Sequence, residues 1–162
     1  GYIETKGTIE GSYASGNVTG NQYVGGLIGN AYSTEITRSY ASGNVTGSSS
    51  YVGGLIGQAS TIKVTKSYAS GNVTGRQYVG GLIGSKSNTS SSVTDSYALG
   101  NVSGSSYYAG LVGYNYGSVT NGYTIEQVSP LTSWDQFIYS NSGTITNLYF
   151  ILSLFLYYLY YV

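Results

Sequence analysis

The stretch Ser12-Tyr13-Ala14-Ser15-Gly16-Asn17-Val18-Thr19-Gly20 (SYASGNVTG) recurs unchanged at 39–47 and 67–75. A fourth copy at 96–104, SYALGNVSG, differs at two positions. The Tyr of the phrase falls at 13, 40, 68 and 97, spaced 27, 28 and 29 residues, and Ile9, Ile36, Val64 or Val93 stands four places before it. The same pair returns as Val119 with Tyr123 and as Ile145 with Tyr149, each 26 residues further on. Disordered Gly/Ser filler does not hold branched and aromatic residues in phase over such a distance. A fixed period of this length marks a stacked repeat.

The second half of each unit is equally regular. Tyr23-Val24-Gly25-Gly26-Leu27-Ile28-Gly29 recurs at 51–57 and 78–84, and the version at 107–113 carries Ala109 in place of the first Gly of the pair. An Ala there argues against positive φ at the first Gly and leaves the second (Gly26, Gly54, Gly81, Gly110) as the candidate for it. The runs Thr-Ile-x-x-Ser-Tyr-Ala, Asn-Val-Thr and Tyr-Val-Gly-Gly-Leu-Ile favour strand-forming residues, with corners of Gly, Asn and Ser between them. Three strands in about 27 residues make one coil of a solenoid in which each strand pairs in parallel with its counterpart one coil away. A propeller blade needs more residues, and the Leu pattern of leucine-rich repeats is missing. The expected fold is all-β: a right-handed parallel β-solenoid (β-helix) of about six coils with an apolar C-terminal segment. Its expected divisions are repeats over 1–122, degenerate final coils over 123–147 and a Tyr/Leu-rich tail over 148–162.

With the preceding Ser-Tyr-Ala-x-Gly-Asn-Val, the Gly-Leu-Ile-Gly elements at 26–29, 54–57 and 81–84 and Gly-Leu-Val-Gly at 110–113 resemble GLUG-motif repeats. The resemblance covers residues 8–122 in four copies. That motif occurs in large bacterial and archaeal surface proteins, adhesin-like proteins and some immunoglobulin-A-cleaving proteases among them. The proteases carry their catalytic groups in a separate domain, so the resemblance implies an extracellular stalk or adhesive region and no activity. Over 123–147 the Gly-Leu-Ile-Gly element is lost, and Pro130 sits where it disappears.

Composition narrows the chemistry. Six basic and six acidic residues cancel, and only 7% of the chain is charged, against about a quarter in an average protein. No electrostatic argument therefore points to nucleic acid or an anionic membrane. The sequence has no Cys, His or Met, and it has 20 Tyr and 25 Gly. A disulfide framework, thiol chemistry and a His-based triad are excluded, and a zinc site is not expected. With Gly1 first and no Met, the sequence is expected to be a processed product or fragment, so the lack of a leader says nothing about secretion. Glu10 and Glu35 fall near adjacent coils but have no special setting for a glycosidase pair. The turns lack the Asp repeats of calcium-binding solenoids. No enzyme activity, cofactor or metal is expected.

The i−2 position from each Tyr holds Gly11, Arg38, Lys66, Asp95, Asn121 and Asn147. Such a column cannot be core, so the strand must bend there, and Lys66 and Asp95 are expected to pair weakly across coils. The longer Tyr column (13, 40, 68, 97, 123, 149) is expected in the core with its hydroxyls at the rim. Tyr23, Tyr51, Tyr78 and Tyr107 form a second column, the candidate surface for binding a glycan or another cell surface. The segments 30–35, 58–63, 85–92 and 114–118, with Glu35, Lys63 and Lys86, are expected as a variable solvated edge. Asn17, Asn44, Asn72 and Asn101 each begin an Asn-Val-Thr/Ser sequon, and Asn88-Thr89-Ser90 is a fifth. All five are candidate glycosylation acceptors, although a structural corner explains the four repeated ones better.

After Asp135 the chain has no charge, and residues 148–162 contain Ser153 as the sole non-aromatic polar residue. This tail is expected to cap its own solenoid, to begin a membrane anchor or to bury itself between copies. Self-association is favoured, with Leu152, Phe155 and Leu159 as anchors at heptad-like spacing. The functional expectation is a non-enzymatic extracellular or cell-surface subunit that assembles with its own copies into a filament or layer. An adhesin module gripping a surface or glycan through the Tyr face or variable segments is the alternative.

Overall fold

The computed structural model describes residues 1–4, 6–125, 128–129 and 137–150, and all of its regular structure is β. One coil contains five short strands, Thr34–Thr37, Tyr40–Ala41, Val45–Gly47, Ser50–Gly53 and Ile56–Ser60. Each pairs in parallel with its counterpart one coil away, residue type on residue type: Ile36 lies between Ile9 and Val64, Tyr40 between Tyr13 and Tyr68, Val45 between Val18 and Val73. The pairings collect into sheets of six, four, ten and five strands. The ten-stranded sheet arises because Ser118–Thr124 runs unbroken through a bend that earlier coils make between two strands.

The chain is a parallel β-solenoid of about five turns, fewer than the six coils expected. Six registers of the branched residue, from Ile9 through Val119 to Ile145, bound five circuits. Strand Ile145–Phe150 opens a sixth, whose continuation lies outside the described residues.

Two of the three strands expected per coil are split, the first at a left-handed residue such as Arg38 and the second at Gly54-Leu55. Eleven described non-Gly residues have φ between 49° and 65°, and they fall into three columns. Arg38, Lys66, Asp95, Asn121 and Asn147 continue a column begun by Gly11; Tyr23, Tyr51, Tyr78 and Tyr107 make another; Ser33 and Thr61 a third. The expected positive φ at the second Gly of the pair is absent, and Gly11 is the sole glycine with positive φ among the described residues. Left-handed backbone costs an ordinary residue roughly 1–2 kcal/mol. It persists where surrounding bonds over-determine it.

The left-handed residue at each first bend also reverses the in–out alternation of the strand. Ile36, Ser39 and Ala41 are buried, whereas Thr37 and Tyr40 are half-buried and Arg38 is exposed. The Tyr column therefore lies on the outside, and no Tyr of the described residues is buried in the core. The expectation of core tyrosines fails because a four-residue spacing keeps a strand's face only if every residue between is extended.

The interior has two compartments. Ile28, Ile36, Leu55, Ile56, Val64, Leu82, Ile83 and Val93 belong to one, and Val24, Val45, Val52, Val73, Val79 and Val102 to the other. Between them the two walls touch. A Cβ on Gly54 would lie 2.1 Å from the Gly81 carbonyl oxygen and 2.7 Å from the Ala69 Cβ. Gly26 meets Ala41, and Gly81 meets Ala98, in the same way, at 2.7 and 2.8 Å. The Gly-Gly pair and the Ala of Ser-Tyr-Ala are thus two sides of one contact, and Gly is required there for want of space.

This contact makes a prediction. Gly54→Ala forces the walls apart and lowers stability by about 1–3 kcal/mol, the usual cost of overpacking. Gly16→Ala meets nothing within 4 Å and leaves stability unchanged or slightly raised. Chemical denaturation of both variants, followed by circular dichroism, checks the pair.

Candidate functional site

Ser12, Ser39, Ser67 and Ser96 follow the left-handed residue of each bend. The Oγ of Ser39 accepts the Ser12 N–H at 3.1 Å and donates to the Thr37 carbonyl at 3.0 Å. Ser67 does the same for Ser39 N–H and the Thr65 carbonyl at 3.1 and 2.9 Å. Ser96 does so for Ser67 N–H and the Thr94 carbonyl, at 3.1 and 2.8 Å. Each hydroxyl thus straddles the left-handed residue of its own coil and holds the coil before it. Sequence reasoning missed this ladder, although the Ser stands unchanged in all four phrases. Ser67→Ala leaves the buried Ser39 N–H without an acceptor, so we expect a loss of roughly 1–3 kcal/mol. Ser12→Ala, whose partner at the Glu10 carbonyl is exposed, should cost distinctly less; urea titrations of the two variants measure the difference.

The Asn corner is a second ladder. Asn17 Oδ1 accepts the Asn44 N–H, Asn44 Oδ1 the Asn72 N–H and Asn72 Oδ1 the Asn101 N–H, at 2.9–3.0 Å. These side chains are exposed, but their amide oxygens are committed between coils. Asn88 stands apart, in the turn between strands Ile83–Lys86 and Ser92–Thr94.

Both Tyr columns are outer stacks. Tyr13, Tyr40, Tyr68, Tyr97 and Tyr123 stack with ring centroids 4.4–5.4 Å apart and planes within 13°. The candidate binding column Tyr23, Tyr51, Tyr78 and Tyr107 stacks at 5.0–5.1 Å. Each stacked pair contributes about 0.5–1.5 kcal/mol beyond its buried area. Tyr114 meets Tyr78 edge-on at 5.4 Å, and Tyr139 meets Tyr107 edge-on at 5.1 Å. A sugar packs on the face of an aromatic ring, but Tyr51 and Tyr78 have both faces covered by neighbours and turn edges and hydroxyls outward. At the N-terminal end, Tyr23 lines an open groove of about 610 Å³ with Gly1, Tyr2 and Asn30. Burial raises the pKa of Tyr51, Tyr68 and Tyr123, with help from neighbouring phenols. The hydrogen bond to Tyr116 is the first cause that pushes Tyr114 up to about 12, followed by burial. These phenols stay neutral at physiological pH, which suits a close stack.

The charged groups pair along the axis. Arg38 bonds Glu10, and Lys63 bonds Glu35 at 3.0 Å. The two carboxylates share no rung: Glu10 lies opposite Thr37 and Glu35 opposite Thr8. The expected Lys66–Asp95 pair is not formed; Asp95 instead accepts a hydrogen bond from Asn121 at 2.8 Å. The supposed solvated edge is mostly strand. Glu35 and Lys63 are outward-facing residues of strands Thr34–Thr37 and Lys63–Thr65.

Lys86, placed by sequence on that edge, is fully buried. It sits between Ala59 and Asn115 in the ladder and donates from Nζ to the Ser118 carbonyl. Asn115 Nδ2 bonds the Gly117 carbonyl and Asn141 Oδ1, while its buried Oδ1 lacks a partner among the described residues. Desolvation lowers the Lys86 pKa from 10.5 to about 7. Above that value the folded amine is neutral while the unfolded one still holds its proton, so unfolding takes up a proton. Stability therefore rises with pH from about 7 towards 10.5, and the gain is absent below 7, where both states are charged. We expect roughly 2 kcal/mol more stability at pH 8.5 than at pH 7. Lys86→Met should flatten that dependence, as thermal melts across pH 6–8.5 will show.

Leu152, Phe155 and Leu159, the expected self-association anchors, lie outside the described residues.

The GLUG motif family matches residues 20–46 and 48–74. The chain carries GLUG repeats. Each matched window runs from the turn after Asn-Val-Thr, through Gly-Leu-Ile-Gly, to the next Asn-Val-Thr. A GLUG repeat in this chain is thus one circuit of the solenoid, including the Gly–Ala contact and the Ser and Asn ladders. No curated protein matches the chain.

Proposed function

We propose that this GLUG solenoid is a non-enzymatic extracellular structural subunit, displayed at a cell surface and assembled with its own copies through the apolar C-terminal tail. The observation that carries this reading is where the repeated side chains point their chemistry. The Ser hydroxyls, Asn amide oxygens and Tyr ring faces are directed at the next coil rather than at a shared cleft. A surface organised this way maintains a stiff rod. The covered faces of Tyr51 and Tyr78 count against the alternative of a glycan-gripping Tyr face. The charge-free, apolar stretch 148–162 supplies the adhesive element of the reading. Burying one such side chain is worth about 1.5–3 kcal/mol, so Leu152, Phe155 and Leu159 together are enough to drive association.

Electron microscopy of the purified chain tests this, with filaments or sheets as the expected outcome. The double substitution Leu152→Asp with Phe155→Asp should abolish assembly in light scattering while leaving the β circular dichroism spectrum intact. Unchanged assembly in that variant would refute the role of the tail. Isolated rods from the unaltered chain would favour the adhesin module.

A further inference from the structure

We infer that Asn88 is the glycan acceptor of this solenoid, and that the four sequons of the repeat are closed to glycosylation by the fold that repeats them. The five sequons have the same chemistry but different mechanical settings. An oligosaccharyltransferase must draw the acceptor Asn and the two residues after it into its own cleft, so the segment has to leave its surroundings.

In the repeat, leaving is costly. Val18, Val45, Val73 and Val102 are the middle residues of those sequons, and the last three are buried in the smaller core compartment. The Asn before each is tied to its neighbours. Asn44 donates its N–H to Asn17 Oδ1, accepts the Val18 N–H at its carbonyl and accepts the Asn72 N–H at Oδ1. Presenting such an Asn means pulling a Val from the core and breaking bonds to two coils.

Asn88 makes none of those attachments. Its Oδ1 accepts the Ser90 N–H at 2.8 Å, and its carbonyl accepts the Ser91 N–H at 3.1 Å, both within its own turn. The middle residue, Thr89, and Ser90 are exposed. Bonds to other coils resume on either side of the sequon, from Ser87 N–H to the Ala59 carbonyl before it, and after it at the buried Ser91, whose Oγ accepts the Ile62 N–H and whose carbonyl accepts the Ser118 N–H. The turn can therefore move without opening the solenoid. Its internal hydrogen bond draws on the Oδ1 and leaves Nδ2 without a partner among the described residues. The reaction takes a sugar from a lipid-pyrophosphate-linked oligosaccharide. Nδ2 forms the bond to the anomeric carbon, the glycosyl–oxygen bond breaks, the lipid pyrophosphate leaves, and the amide proton passes to a base of the transferase.

This inference rests on the extracellular reading for its biological setting, but its test does not. The purified, folded full chain is incubated with an archaeal single-subunit oligosaccharyltransferase and its lipid-linked oligosaccharide, beside short peptides spanning Asn44 and Asn88. Both peptides are expected to be modified. Peptide mapping of the folded chain should place one glycan on Asn88, and Asn88→Gln should abolish it. A glycan on Asn17, Asn44, Asn72 or Asn101 of the folded chain would overturn the inference. So would an unmodified Asn88 in the folded chain when its peptide is modified. Either result leaves the assembly reading untouched, since that is decided by microscopy and light scattering.

Discussion

Among the described residues, a coil of this solenoid finds its hydrogen-bonding partners in the coil before it and the coil after it. Parallel stacking in register then places most side chains against a copy of themselves or a close relative, 26 to 29 residues away. Only side chains that tolerate their own kind can occupy a column. Val on Val fills space, Tyr on Tyr stacks, and Asn or Ser on its twin passes a hydrogen bond along the axis. Charges pair across coils where the signs are opposite, as Arg38 with Glu10 and Lys63 with Glu35 do, and the like charges Arg38 and Lys66 sit at exposed bends. The scarcity of charge in this chain follows from the same restriction, because like charges stacked at strand spacing repel.

The bends show how that constraint is met at unfavourable backbone positions. Arg38 and Lys66 hold left-handed conformations that their residue types do not favour. The Ser that follows each one bonds both to the strand before the bend and to the neighbouring coil. A local cost is thereby offset by bonds that exist only once coils are stacked. Folding of one coil and docking of the next are consequently a single event, which is the energetic pattern of a linear repeat array. The wall contact between Gly54 and Ala69 adds a steric version of the same dependence, since each Gly faces the Ala of the following coil.

Lys86 and Asn115 interrupt the pattern. They occupy a column that holds Ala31 and Ala59 in earlier coils, and they bring polar groups into a column that is apolar there. The Nζ finds the Ser118 carbonyl, and Asn115 passes a hydrogen bond to Asn141. The later coils are therefore chemically distinct from the earlier ones, although the backbone path is shared. Such a difference sets the position of each coil along the axis in a way that identical coils do not.

The period, the columns, the parallel pairing and the all-β class were all legible in the sequence. A repeat of 27 residues that keeps Ile, Tyr and Gly in phase has few other ways to bury them. The GLUG identity was legible for the same reason, since Gly-Leu-Ile-Gly and Ser-Tyr-Ala are the two halves of one circuit. Sidedness was not. Alternation along a strand predicts which way a residue points only while the backbone stays extended; the column of Arg38, Lys66 and Asp95 signalled a bend, but not that the left-handed residue there turns the following Tyr outward. For that reason the Tyr column lay outside instead of in the core and the Ser beside it became the buried ladder; Lys86, in a segment that composition alone presents as a loop, took the inward place of Ala31 and Ala59 in its column. Those outcomes depend on which wall stands opposite and which coil stands next, and only the assembled tertiary structure decides either.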